Sequence, residues 1–257
     1  MAEDEARMSF IEHLEELRKR LLRAVMAILI GFAGCIAFKE RLFDFIVGPI
    51  ISLLPRGSSL VFTRLPDPFF MYLKVAFVAG VFLTLPYVIY QLWLFVRPGL
   101  YERERKLAFP FITIAVLLFY TGGAFAYFLV FPAAFKFFLG FQTEALKPML
   151  SIKEYVSLVM LLMLAFGAVF ETPIVIVFLG LLGVVHSNML RKGRRYFIVI
   201  AFIIGAILTP TPDIINQSLM AVPMILFYEV GIFVLSMLEK RREREEQLEQ
   251  QALNGTE

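Results

Sequence analysis

The sequence predicts an all-α integral membrane protein with six transmembrane helices and both termini on the cytoplasmic side. Three observations predict it. Apolar residues make up 59% of the 257-residue chain, and the mean hydropathy is +0.76. Six long apolar stretches are each bounded by charge, Gly or Pro. Lys and Arg are distributed very unequally between alternate connections. A hydrocarbon core about 30 Å thick takes roughly 20 apolar residues as helix, and only backbones that close their own hydrogen bonds survive there. This composition excludes disordered and ordinary soluble classes. A net charge of +3, with acid and base evenly mixed, does not make a nucleic-acid surface. The single cysteine, Cys35, permits neither an intrachain disulfide nor a thiolate metal cluster.

The six stretches run from Leu21 to Phe38, Phe69 to Val96, Leu107 to Phe131, Tyr155 to Leu182, Tyr196 to Leu208 and Ile214 to Leu238. The fifth has only 13 residues, about 20 Å of helix, before Thr209-Pro210-Thr211-Pro212-Asp213 turns the chain back. Spans five and six therefore form a short hairpin. Seventeen Lys and Arg fall in the N-terminal segment, the second and fourth connections and the tail, against seven in the opposite connections, which orients both ends to the cytoplasm. The first 20 residues are charged and helical and no small-residue cleavage site follows, so span one reads as a signal anchor. The connection from Lys39 to Pro68 repeats Leu42, Phe43, Ile46, Val47, Ile50 and Leu54 at helical spacing. It is expected to be an interfacial helix on the outer surface, interrupted at Gly48-Pro49. With no internal repeat or composition shift, residues 1–238 read as one membrane domain. Residues 239–257 read as a charged cytoplasmic extension that starts helical and frays into disorder.

Three charges lie inside spans, where an ionisable group must snorkel, pair or be neutralised. Lys74 is near enough to the outer end of span two for its stem to reach the headgroups. Glu171 is out of reach of either interface, and Pro173 beside it removes a hydrogen bond to the carbonyl of Val169 and kinks the helix. It is either a docking or proton site inside the bilayer or an internally paired carboxyl. Glu229 admits the same two readings. On the cytoplasmic side, residues 10–20 form an amphipathic helix running into span one, with Glu15 and Glu16 four residues before Lys19 and Arg20. That is the favourable order for intrahelical pairs, so a solvated charged face is the plain reading. In the second connection Glu102 and Glu104 sit among Arg103, Arg105 and Lys106, where acid could receive a basic peptide.

Neither a phosphate-binding loop nor a zinc or serine hydrolase motif occurs, and His13 and His186 lie in separate segments without a carboxylate cluster. An enzyme, a metal site and a cofactor are accordingly not expected. A small proton-coupled solute transporter using Glu171 and Glu229 is the alternative, although such folds show inverted repeats with broken helices in both halves.

In combination the motifs resemble the TatC family of twin-arginine translocase subunits, over nearly the whole chain from Phe10 to Leu238. His13-Leu14-Glu15-Glu16-Leu17-Arg18 is similar to the family's N-terminal H-L-x-E-L-R. Phe95-Val96-Arg97-Pro98-Gly99-Leu100 with Glu104-Arg105-Lys106 is similar to its F-x-x-P-G-L and E-R-R loop, Lys106 standing in the second basic place. Phe125-Ala126-Tyr127-Phe128 with Phe131-Pro132, Phe170-Glu171-Thr172-Pro173 and Leu208-Thr209-Pro210-Thr211-Pro212-Asp213 follow in order. The resemblance implies a concave arrangement of the six helices and a receptor and core subunit in the bacterial cytoplasmic (inner) membrane. Such a subunit binds the Arg pair of signal peptides and exports folded proteins on the proton gradient. Its implied partners are single-span TatA-like and TatB-like proteins and further copies of the chain. By residue, the resemblance implies that Glu16 and Glu104 receive the two guanidinium groups, bordered by Phe95, Arg18 and Arg105. It implies that Glu171 faces a groove in the bilayer where partner helices dock, and that Pro49 and Asp213 belong to the outer loops.

Overall fold

Apolar runs of this length satisfy their backbone only as helix, and helix dominates the fold. A computed structural model of the chain describes residues 10–53, 60–97, 108–140, 150–208 and 214–254. In order they form α1 (Phe10–Ile36), α2 (Lys39–Leu53), β1 (Leu60–Val61), α3 (Asp67–Val96), α4 (Ala108–Phe125), a π-turn (Ala126–Val130), α5 (Phe131–Leu139), β2 (Leu150–Ser151), α6 (Ile152–Phe170), α7 (Thr172–Leu181), α8 (Ser187–Leu208) and α9 (Ile214–Asn254). Among the described residues four helical segments are long and apolar enough to cross a membrane: Asp67–Val96, Phe109–Phe137, Ile152–Leu181 and Gln217–Arg244. They answer to spans two, three, four and six. Leu14–Ile36 and Lys39–Ile51, bent by 86°, make a fifth if taken as one broken span. The stretch expected as span five is the C-terminal part of α8, whose first two turns carry Arg191, Lys192, Arg194 and Arg195. The chain packs as two compact units, Met1–Gly167 and Ala168–Glu257.

In the first unit α1 and α3 run antiparallel and nearly touch. A Cβ on Gly80 would stand 2.5 Å from the backbone nitrogen of Phe32, and one on Gly31 would stand 2.9 Å from the carbonyl oxygen of Gly80. Only glycine at both places lets the backbones approach so closely, the small-residue contact by which helices associate in lipid. Phe82 of α3 packs edge-on against Phe119 of α4, and Trp93 meets Phe111. Ile46, Val47 and Ile50 of α2 are buried, so α2 presents an apolar face to this unit. β1 and β2 form a two-residue parallel ladder, Leu60 opposite Leu150 and Val61 opposite Ser151. Beside it buried Asp67 accepts from the Arg64 backbone N–H at 3.2 Å and lies 3.5 Å from Lys153 Nζ.

The second unit is built on the α8–α9 hairpin. Ala201, Ala221 and Met224 form one buried cluster, and Ile176, Tyr228, Ile232 and Leu235 another. Phe197 stacks on Tyr228 with ring centroids 3.9 Å apart. α7 ends at Gly183, whose φ of 71° a residue with a Cβ rarely adopts, and the Val184 N–H returns to the Leu179 carbonyl at 2.9 Å. Together these make a Schellman stop. α9 continues as helix through Asn254, sixteen residues beyond the expected end of span six.

Prolines within helices leave the carbonyl four residues back without its usual N–H. Here hydroxyl groups supply the missing donor. Pro86 frees the Phe82 carbonyl, which accepts from the Tyr120 hydroxyl at 2.8 Å. Pro49 frees the Phe45 carbonyl, which accepts from the Tyr127 hydroxyl. For this reason the interruption expected at Gly48-Pro49 does not occur, and α2 runs unbroken through both residues. Pro132 is met by a widened turn, in which the Phe131 N–H reaches back to the Ala126 carbonyl.

Candidate functional site

The amphipathic start of α1 brings two acidic residues to the end of the helix pair where α3 finishes. Glu15 pairs with Lys19 at 2.8 Å on the exposed face, as i,i+4 spacing requires. Glu16 sits closer to α3 and is only 24% exposed. Arg20 donates both Nε and Nη2 to the same Glu16 oxygen, Oε1, each at 2.6 Å. Its Nη1 donates to Oε1 of Gln91 on α3 at 3.2 Å. Gln91 is buried, at 4% exposure. One carboxylate oxygen of Glu16 is thus held by a resident guanidinium that is itself anchored to the neighbouring helix. Among the described residues no donor reaches Oε2. Phe95 lies one turn beyond Gln91 on α3 and is half-buried, while Arg18 is exposed on α1. The structure therefore brings Glu16, Arg18 and Phe95 to one end of the α1–α3 pair. Glu104 and Arg105, with the rest of their connection, lie outside the described residues, as does Asp213.

The intramembrane acid stands at a helix break. Glu171 separates α6 from α7, and Pro173 follows in the first turn of α7. The Val169 carbonyl that Pro173 frees is taken by the hydroxyl of Thr172 at 2.6 Å. Glu171 keeps its backbone bonds, its N–H to the Ala168 carbonyl at 3.2 Å and its own carbonyl to the Val175 N–H at 2.9 Å. Its side chain is half-buried, and Oε1 is fully covered without a hydrogen-bond partner. A buried polar atom in that state costs free energy until a donor or a proton meets it.

The remaining sequence candidates are accounted for more simply. Glu229 pairs with Arg194 at 2.6 Å on the exposed side of the α8–α9 hairpin. That contact fulfils the neighbouring-helix reading and takes Glu229 away from a proton path shared with Glu171. Lys74 is exposed and donates to the Ser157 hydroxyl at 2.9 Å. Pro49 lies within α2.

Two groups of polar residues escape a reading confined to charges within spans. Gln91 is a neutral amide, and it anchors Arg20; its signal is one amide in the apolar run Val88–Val96. The second group fastens α8 to α9. Glu239 accepts from the backbone N–H of Ser187 at 3.0 Å and from its hydroxyl, and Arg191 donates to Ser236 at 3.2 Å. A carboxylate there satisfies an N–H left open at the α8 N-terminus and complements the helix dipole.

Comparison with known proteins identifies the family. A family model described as "Sec-independent protein translocase protein (TatC)" matches residues 12–223. A Sec-independent protein translocase protein TatC of Desulforapulum autotrophicum is 41% identical, over 96% of this chain and 91% of the relative. The one of Magnetococcus marinus is 43% identical over 96% and 90%, and that of Escherichia coli K12 is 41% identical over 92% of each. A solved structure described as the twin arginine translocase receptor TatC superposes with a TM-score of 0.79 at 40% identity, covering 88% of this chain and 98% of its own. A protein translocase family does not favour the small-solute transporter. The chain is an all-helical, multi-pass membrane protein that belongs to the TatC family of Sec-independent protein translocase components.

Proposed function

We propose that the chain is the receptor and core subunit of a twin-arginine translocase, binding Arg-pair signal peptides and exporting folded proteins on the proton gradient. In this reading it works in the bacterial inner membrane with six spans and cytoplasmic termini, beside TatA-like and TatB-like single-span partners and further copies of itself. The observation that carries it is the Glu16 carboxylate, partly sheltered at the membrane edge beside the Phe95 turn, with one oxygen pinned by Arg20 and the other open. A guanidinium can set two N–H groups of its planar fork on one such oxygen, as Arg20 does at Oε1, whereas an ammonium offers a point charge. With Glu104 as the second acceptor, two such sites discriminate an Arg pair from a Lys pair. Arg18 and Arg105 border the site, and Pro49 and Asp213 serve on the outer side. Glu171 offers its unpartnered oxygen to a docking helix.

The test is binding of an Arg-pair signal peptide to the detergent-solubilised full chain. Each charge-assisted bond contributes about 1.5–3 kcal/mol, discounted where water reaches it. Glu104→Ala and Glu16→Ala should each weaken binding by roughly tenfold or more, with thermal stability unchanged in Glu104→Ala. A Glu104→Arg variant should repel the normal peptide and regain affinity for one with acid in the pair. Wild-type affinity in both alanine variants would move recognition elsewhere.

A further inference from the structure

Within the first unit an open groove of about 380 Å³ runs between α3 and α6, with Phe32 of α1 in its wall. That volume is in the range of sites that hold small ligands. The groove is polar at one level only. There Lys74 and Ser157 face each other, the ammonium donating to the hydroxyl at 2.9 Å. Phe77 lies one turn further along α3, and Leu161 and Leu164 lie one and two turns further along α6, all lining the same groove. Phe70 flanks the lysine on its other side. Lys74 is seven residues, roughly 10 Å, from the start of α3, where the Asp67–Lys153 pair and the β1–β2 ladder mark a polar level. A lysine stem spans much of that depth, so its ammonium sits where headgroups meet hydrocarbon.

The described residues do not compensate the charge there. Ser157 is a neutral acceptor, and among the described residues no carboxylate lies within ion-pair distance of Lys74. A positive charge at the top of an apolar groove that descends along the helices has the polarity of an anionic amphiphile, head to ammonium and chain to groove. We infer that this groove is a binding site for one anionic phospholipid, its phosphate held by Lys74 and Ser157 and an acyl chain lying along Phe77, Leu161 and Leu164. Snorkelling to bulk solvent needs no groove. A partner helix would need to bring its own carboxylate to this level, whereas every anionic phospholipid carries a phosphate there.

Native mass spectrometry of the full chain, released from micelles holding equal phosphatidylglycerol and phosphatidylcholine of identical acyl chains, tests the site. A lysine near the surface is worth about fivefold in affinity for an anionic headgroup, so one phosphatidylglycerol should be retained with roughly that preference. Lys74→Gln should abolish the preference, and Lys74→Arg should keep it, which separates loss of charge from loss of fold. Leu164→Trp, which fills the groove and leaves the charge in place, should lower retention of both lipids. Equal retention of the two lipids by the wild type, or an unchanged preference in Lys74→Gln, would overturn the site. So would retention of a single-span partner in place of the lipid that is lost in Lys74→Gln.

Discussion

Two prolines, Pro49 in the first unit and Pro173 in the second, pose the same problem and leave different remainders. At Pro49 the freed carbonyl of Phe45 is taken by Tyr127, 82 residues away, while Tyr155 donates to the next carbonyl, Ile46, at 3.0 Å. The Phe45 ring also stacks on Tyr127. Three elements, α2, the π-turn and α6, are tied at one point, and the polar groups described there are paired. At Pro173 the freed carbonyl is taken by the adjacent Thr172, a local repair that ties no second element. Next to it Glu171 keeps an oxygen with no partner. The first site is completed inside the chain. The second has hydrogen-bonding capacity left over, in a segment where an unmet polar atom is costly. That remainder is why docking is placed at Glu171 and a structural role at Pro49.

The comparison can be broken most severely at Glu171. Glu171→Ala should abolish export and release single-span partners, whereas Glu171→Gln, which keeps a donor and an acceptor, should retain most activity. Equal export from all three proteins would end the docking role, and failure of both substitutes would point to an obligatory proton carrier. At Pro49 the expected effect falls on stability. Tyr127→Phe leaves the Phe45 carbonyl unmet and should destabilise the detergent-solubilised protein by about 1–3 kcal/mol. Adding Pro49→Ala restores an N–H to that carbonyl, so Tyr127→Phe should cost less in the Pro49→Ala background. An equal cost in both backgrounds would show that Tyr127 acts through packing alone. The smallest change should follow Thr172→Val, about 0.6 kcal/mol by the usual worth of a hydrogen bond in a membrane helix. A loss as large as that of Tyr127→Phe would erase the distinction between local and tertiary repair.

Hydropathy and charge are sufficient for the helices at spans two, three, four and six, and for the turn of the chain after Ile36 at Lys39. Spacing alone places the Glu15–Lys19 and Glu16–Arg20 pairs, because i,i+4 neighbours need no tertiary knowledge. Pro173 likewise announces the break beside Glu171. What sequence reasoning missed depends on partners far along the chain. Gly48-Pro49 has the signature of a break, yet a hydroxyl 82 residues away makes the helix tenable. Gln91 meets Arg20 across 71 residues, and Glu239 reaches Ser187 across 52. No local pattern encodes such contacts. The Gly31–Gly80 approach is similar, since each glycine alone is an ordinary residue of a membrane helix.

The contrast between the two proline sites is tested most directly by photo-crosslinking in membranes that contain the single-span partners. A benzophenone side chain is placed either at Val175, exposed one turn beyond Glu171, or at Phe45, exposed one turn before Pro49. The Val175 label should capture a partner helix, with a yield that survives Glu171→Gln and collapses in Glu171→Ala, while the Phe45 label should capture none. Equal capture at the two positions, or a Val175 yield indifferent to Glu171→Ala, would contradict the account.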